Sequence, residues 1–151
     1  MLKVMDENPD IYIISVGLGW PRTDEFSTLY PQRFIQTEAS EQTALDIAVG
    51  LSYSGKIPIV YTISSFYWRA AETIRTYINR EKLKVIMVGA GKDGDYSDHG
   101  DGFSHDARDI PELFNIFKNI TQFYPNDKNE LIDNINSAIA LNGTSFVNIH
   151  R

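Results

Sequence analysis

Short runs rich in β-branched and aromatic residues alternate along this chain with longer stretches whose apolar residues recur at helical spacing. Ile11 to Val16 (IYIISV) and Ile57 to Ile63 (IPIVYTI) are nearly uninterrupted, the pattern of strands covered on both faces in the middle of a parallel sheet. Pro58 is tolerable near the start of its run, because a proline there need not supply a ladder donor. Arg33 to Thr37 (RFIQT) reads as a short buried strand, and Lys84 to Val88, ITQFY before Pro125, and the closing SFVNI complete the set. Between them the spacing predicts helices over Leu2 to Asn8, over Thr23 to Tyr30 and from Ser40 to a stop at Gly55, the last with Ala44, Leu45, Ile47, Ala48 and Leu51 inward. Another helix, capped by Ser64-Ser65, has Ala70, Ala71, Ile74, Tyr77 and Ile78 on one face. The last two run from Asp109 through Phe117, and from Asn126-Asp127 to Asn142-Gly143 with a stripe of Leu131, Ile132, Ile135, Ala138 and Ile139. Such alternation implies right-handed crossovers and an α/β fold: a three-layer, doubly wound parallel sheet of about six strands. Pattern alone leaves the strand order open.

Length and composition narrow this picture. A chain of 151 residues, 42% hydrophobic and 23% charged, fits one globular domain over 1–151. A net charge of -6 without a Lys/Arg cluster argues against nucleic-acid binding, which needs a basic face to neutralise phosphates. The absence of cysteine excludes disulfides, thiol catalysis and zinc-thiolate sites. The polar start, MLKVMDENPD, does not read as a signal peptide and no run is long enough to span a bilayer, so a cytoplasmic protein with no membrane partner is expected.

In a doubly wound sheet the segments that follow the strands emerge at one edge, which brings Glu41, Ser64 to Arg69 and the Gly89 to Arg108 stretch to a common rim. Glu41 opens a helix directly after a strand, although acidic residues are ordinary in first turns, where they complement the helix dipole. The stretch from Gly89 to Arg108 is Gly-rich, acidic and without periodicity, longer than a casual connection in a compact domain. Its aspartates with His99 and His105 invite a metal, but a calcium-loop register from Asp95 puts His99 at the fifth position and Asp106 where glutamate is expected, a poor match. No metal site is assigned. Gly17-Leu18-Gly19 suggests a dinucleotide loop, yet Pro21-Arg22 stands where that fingerprint needs its third glycine.

The string EASEQTALDIAVGLSYSGKIPIVYTISSF, with its Glu-Gln pair opening a helix that runs into Ala-x-Gly-Leu and then Ser-Gly-x-x-Pro, resembles the pyrimidine-binding domain of the transketolase family. The resemblance implies a thiamine diphosphate-binding fold of the pyrimidine-domain type. It implies that Glu41 is catalytic, hydrogen-bonding the cofactor's pyrimidine ring nitrogen to favour the imino tautomer, and that it is buried between apolar surfaces. Phe66 matches the aromatic that stacks on the pyrimidine and, like Glu41, would bind the cofactor. Arg69 matches a position that meets phosphorylated sugar ends in some members. Asp101-Gly102-Phe103-Ser104-His105 resembles the family's Asp-Gly-x-Thr-His segment, in which the acidic residue and the histidine face the sugar; Ser104 replaces threonine, and Phe103 stands where many members have proline.

The family holds magnesium and the diphosphate on a separate domain with a Gly-Asp-Gly motif and a later asparagine. No matching stretch occurs here, since Gly100-Asp101-Gly102 lies inside the sugar-facing segment. The diphosphate-binding and C-terminal domains are thus expected to be absent. The resemblance implies a pyrimidine-binding subunit or domain of an enzyme of carbohydrate metabolism that transfers two-carbon ketol units between sugar phosphates. It would be inactive alone, would take thiamine diphosphate with magnesium held by a diphosphate-domain partner, and would form a homodimer or mixed oligomer. A 1-deoxy-D-xylulose-5-phosphate synthase-like part and a non-catalytic interaction module are the alternatives.

Overall fold

The computed structural model describes residues 2–17 and 23–151. The incomplete dinucleotide fingerprint at Leu18, Gly19, Pro21 and Arg22 lies outside them. Six strands, β1 (Ile11–Ser15), β2 (Phe34–Gln36), β3 (Ile57–Ile63), β4 (Ile86–Ala90), β5 (Ile120–Phe123) and β6 (Thr144–Ile149), form one sheet in the order β2-β1-β3-β4-β6-β5. Every pairing is parallel. Around it stand α1 (Leu2–Glu7), α2 (Thr23–Leu29), α3 (Glu41–Tyr53), α4 (Ala71–Thr73), α5 (Ile110–Ile116) and α6 (Lys128–Ala140).

The continuous apolar runs are explained by burial on both faces. Successive residues of the central strands go to opposite cores: Ile14, Val60, Met87 and Phe146 join Ala44, Leu45 and Ala48 of α3 with Leu113 and Phe114 of α5. Ile13, Ile59, Ile86 and Val147 join Met5 of α1, Phe26 of α2 and Ala138 of α6. These are the three layers expected of alternating strands and helices. Among the described residues no helix is long and apolar enough to cross a membrane.

Three local expectations need correction. The strand around Phe34 is an edge strand, paired on one side only, and its residues are half-buried or exposed. The helix after β3 is not one α-helix: it is 3₁₀ over Ser64–Ala70, α over Ala71–Thr73 and π over Ile74–Asn79. Its face is correspondingly narrower than helical spacing predicts, with Ala70, Ile74 and Ile78 buried but Tyr77 exposed. In α6 only Ala138 is fully buried and Ile132 is exposed, because this helix covers the sheet near its edge.

Under the 3₁₀ segment lies an aromatic core. Tyr67 is fully buried, edge-on to Phe114 and Phe146, whose rings stack with centroids 3.7 Å apart. Its hydroxyl donates to the carbonyls of Val60 at 3.0 Å and Val88 at 3.2 Å, tying the segment to β3 and β4. Close approach at this point depends on Gly89. A Cβ there would lie 3.0 Å from the Ser64 Cα and 3.1 Å from Phe146 Cε2, and would run into the Ser64 hydroxyl that donates to Asn148 Oδ1 at 2.6 Å.

Gly89→Ala should therefore lower stability by about 1–3 kcal/mol, seen as a lower urea midpoint at unchanged m-value, whereas Gly50→Ala, which faces open space on α3, should gain up to about 1 kcal/mol. An unchanged midpoint for Gly89→Ala would show that β4 and the 3₁₀ segment separate at no cost. Alkali should also find this core. Burial raises the Tyr61 phenol to about 12, with Tyr96 adding to it, and pushes Tyr67 well above its ordinary value of 10.0. The unfolded chain therefore loses these protons first. Stability should be intact below pH 10 and fall as pH rises from there through about 12. Denaturant midpoints across that range check it, and Tyr67→Phe should start about 1 kcal/mol less stable but decline less steeply.

Candidate functional site

The chain's direction reverses across the sheet between β1 and β3, whose outgoing connections run to opposite sides, and ligand crevices form at the carboxyl ends of strands at such a point. Glu41 arrives there as the first residue of α3, and the 3₁₀ segment arrives from the end of β3. Glu41 is only 4% exposed. Among the described residues the hydrogen bonds to its carboxylate come from one donor, Arg69 Nη1, which lies 3.1 Å from both Oε1 and Oε2. Arg69 itself is half exposed, its side chain retaining 49% of its accessible surface.

Phe66 and Arg69 are three residues apart in the 3₁₀ segment, and side chains at that separation eclipse one another in a 3₁₀-helix. The Arg69 guanidinium accordingly lies over the Phe66 ring, 3.8 Å from its centroid. Tyr67 and Ala70, the alternate pair, face the core. The departure from α-geometry thus puts a cation on an aromatic face beside a buried carboxylate.

The third component is the loop after β4. Gly91 turns it with φ +80, where a Cβ would strike the Tyr96 ring. Although aperiodic in sequence, the loop is internally bonded. Asp93 and Ala107 form an antiparallel bridge, short 3₁₀ turns occupy Ser97–His99 and Phe103–His105, and Arg108 pairs with Asp98 and Asp106. The loop is held in place first by the Lys92 N–H, which donates to the Ile149 carbonyl of β6 at 3.0 Å, and then by side chains. Ser65 Oγ donates to the Ser104 carbonyl at 2.8 Å, and Asp95 Oδ2 accepts from the Arg151 backbone N–H at 2.9 Å and meets His150 Nδ1 at 3.0 Å. His105 is thereby brought against Phe66, ring centroids 4.9 Å apart, with Tyr96 beyond it at 6.1 Å.

Of the residues singled out in the sequence, Glu41, Phe66, Arg69 and His105 thus come together. Asp101 lies on the same loop, its carboxylate 3.7 Å from Arg151 Nη1. Among the described residues no group of three or more His, Asp and Glu side chains could hold a metal ion. Asp109 does not cap α5 with its side chain but accepts from Trp68 Nε1 at 3.1 Å. Ser65, Tyr96 and Asp95 are supporting residues that sequence reasoning missed. Ser65 was legible only as part of a helix cap, and the other two only as loop residues.

A model of the family described as transketolase, pyrimidine binding domain, matches residues 1–151. The 1-deoxy-D-xylulose-5-phosphate synthase of Syntrophomonas wolfei subsp. wolfei is 34% identical over 124 residues, 79% of this chain and 18% of the relative. That of Desulfotalea psychrophila is 30% identical over 154 residues, 100% of this chain and 23% of the relative. The chain therefore spans about a fifth of the length of the curated relatives it matches. Among solved structures, a split gene transketolase described as an inactive beta4 tetramer superposes with a TM-score of 0.85 at 28% identity, over 99% of this chain and 48% of that one. Transketolase of Campylobacter jejuni superposes equally well, TM-score 0.85, at 18% identity over 99% of this chain and 24% of that one, a likeness of fold. The chain belongs to the transketolase pyrimidine-binding domain family.

Proposed function

We propose that residues 1–151 are the pyrimidine-binding part of a transketolase-like, thiamine diphosphate-dependent enzyme that transfers two-carbon ketol units between sugars. The observation that carries this reading is the Arg69 guanidinium, a flat, nitrogen-bearing group hydrogen-bonded to a buried carboxylate and stacked on an aromatic ring. Those are the contacts an aminopyrimidine ring would ask of Glu41 and Phe66, so the residues present fit the cofactor. Bound thiamine diphosphate would supply a thiazolium carbon able to attack a sugar carbonyl. Glu41 would share a proton with the pyrimidine ring nitrogen, its burial keeping that proton away from solvent. Phe66 would orient the ring by stacking. Arg69, Asp101 and His105 would meet the sugar phosphate from the rim.

The diphosphate and magnesium fall to a partner domain or subunit in this reading, in a cytoplasmic homodimer or mixed oligomer, and the isolated chain is inactive. Support comes from its likeness to a split gene transketolase, itself described as inactive in its beta4 form. A second reading, a part of a 1-deoxy-D-xylulose-5-phosphate synthase-like enzyme, is favoured by the names and identities of the curated relatives. Product analysis of the assembled enzyme separates the two.

The test is a titration of thiamine diphosphate and magnesium into the purified chain, read by tryptophan fluorescence, since Trp68 is two residues from Phe66 and half exposed. It is repeated with candidate diphosphate-domain proteins present. Binding is expected to be weak or undetectable alone and to appear with the partner. In the complex Glu41→Gln should lose about 10²–10⁴-fold in rate while still binding the partner. Full transketolase activity of the single chain would overturn the split assignment, and a Gln variant as active as the parent would remove Glu41 from the chemistry.

A further inference from the structure

A carboxylate as buried as Glu41 is costly to leave without a partner. Here the partner is a side chain that keeps half its surface in water and is anchored only through a long, flexible stem. The same guanidinium covers a face of Phe66. Both groups assigned to pyrimidine recognition are therefore engaged by one residue of the chain itself, and a ring cannot take the Glu41 carboxylate and that face of Phe66 while Arg69 holds them.

We propose that Arg69 is an internal placeholder, exchanged for the pyrimidine when the cofactor enters, and that its release creates an anion site at the mouth. This rests on the pyrimidine reading of Glu41 and Phe66. In the closed arrangement Arg69 satisfies the buried charge and its own charge is neutralised, so an anion arriving at the rim meets no free guanidinium there. When a ring takes over the Glu41 contact and the Phe66 face, Arg69 is displaced outward as an unpaired cation beside His105, whose ring packs on Phe66. Ring binding and anion binding are then coupled with positive sign, and by linkage each must strengthen the other equally. The site is ordered by this exchange: the anionic end of a substrate is attracted only once the ring is seated.

Two measurements on the 151-residue chain test it. The first is the binding of thiamine, raised to millimolar concentration and followed by NMR shifts of Phe66 and Ala70 neighbours. If the closed form dominates, the apparent affinity is reduced by the open fraction, so Arg69→Ala should bind thiamine about 5- to 100-fold more tightly than the parent chain. Glu41→Ala should bind it more weakly. The second is the ¹⁵N signal of the Arg69 side chain in the parent. Rotation about its guanidinium should be slow without ligand and become fast as thiamine is added, and inorganic phosphate should shift that signal only in the thiamine-loaded chain.

Thiamine binding in Arg69→Ala that is equal to or weaker than in the parent would overturn the placeholder while leaving the pyrimidine site standing. So would an Arg69 signal unmoved at saturating thiamine, which decides the matter should the Ala variant not fold. Thiamine that binds neither chain even with a diphosphate-domain partner present, or binds regardless of Glu41, would remove the pyrimidine reading, and the placeholder with it.

Discussion

Burying a carboxylate at the first position of a helix constrains everything around the Glu41 site. The helix dipole favours negative charge at that end, but a charge shielded from water still needs a hydrogen-bond donor of its own. The donor comes from 28 residues further along the chain, so the α3 terminus and the 3₁₀ segment must be held in register to within hydrogen-bond distance. The parallel sheet does this, since β2, which leads into α3, and β3, which leads into the 3₁₀ segment, both pair with β1 and release their outgoing segments at the same edge. Tyr67 and Ser64 then fix the height of the 3₁₀ segment above the sheet through bonds to Val60, Val88 and Asn148. Gly89 allows the approach. The Glu41–Arg69 contact thus requires a pairing of strands, a buried aromatic and a missing side chain on β4.

Much of this was legible before the fold. The two uninterrupted runs at Ile11 and Ile57 became central strands because neighbouring residues such as Ile13 and Ile14 serve opposite cores, which is what an unbroken apolar run means physically. The convergence of Glu41, Phe66 and the loop after β4 followed from topology alone. Two things could not be read. The 3₁₀ geometry of Ser64–Ala70 goes with the burial of Tyr67 and Ala70, three residues apart, in the core, a tertiary arrangement that helical spacing does not contain. The edge position of β2 depends on strand order, which periodicity does not contain.

The loop after β4 shows the same limit from the other side. Its composition reads as solvated aspartates and glycines, yet those aspartates are partners: Asp95 for the His150–Arg151 end, Asp98 and Asp106 for Arg108. Charge that suggested a metal is used to fold the loop on itself. Asp101 lies near Arg151, while His105, four residues on, lies against Phe66. A motif places its residues on one loop without dictating that they point to one centre.

The identity of residue 69 follows from the geometry. A lysine could neutralise Glu41, its ammonium reaching both oxygens as the single Arg69 nitrogen does, but it is a compact point charge that presents no plane to an aromatic ring. Arg69 does both at once, with one nitrogen 3.1 Å from each Glu41 oxygen and its central carbon 3.8 Å above Phe66. A flat cation that fits between a carboxylate and a ring is, in shape and in bonding, close to the heterocycle it would have to make way for. A group that holds such a site in working order between ligands does so by resembling the ligand, and the better the resemblance, the more the site depends on that group being able to leave. The half-exposed stem of Arg69 satisfies this second requirement, which a fully buried arginine would not.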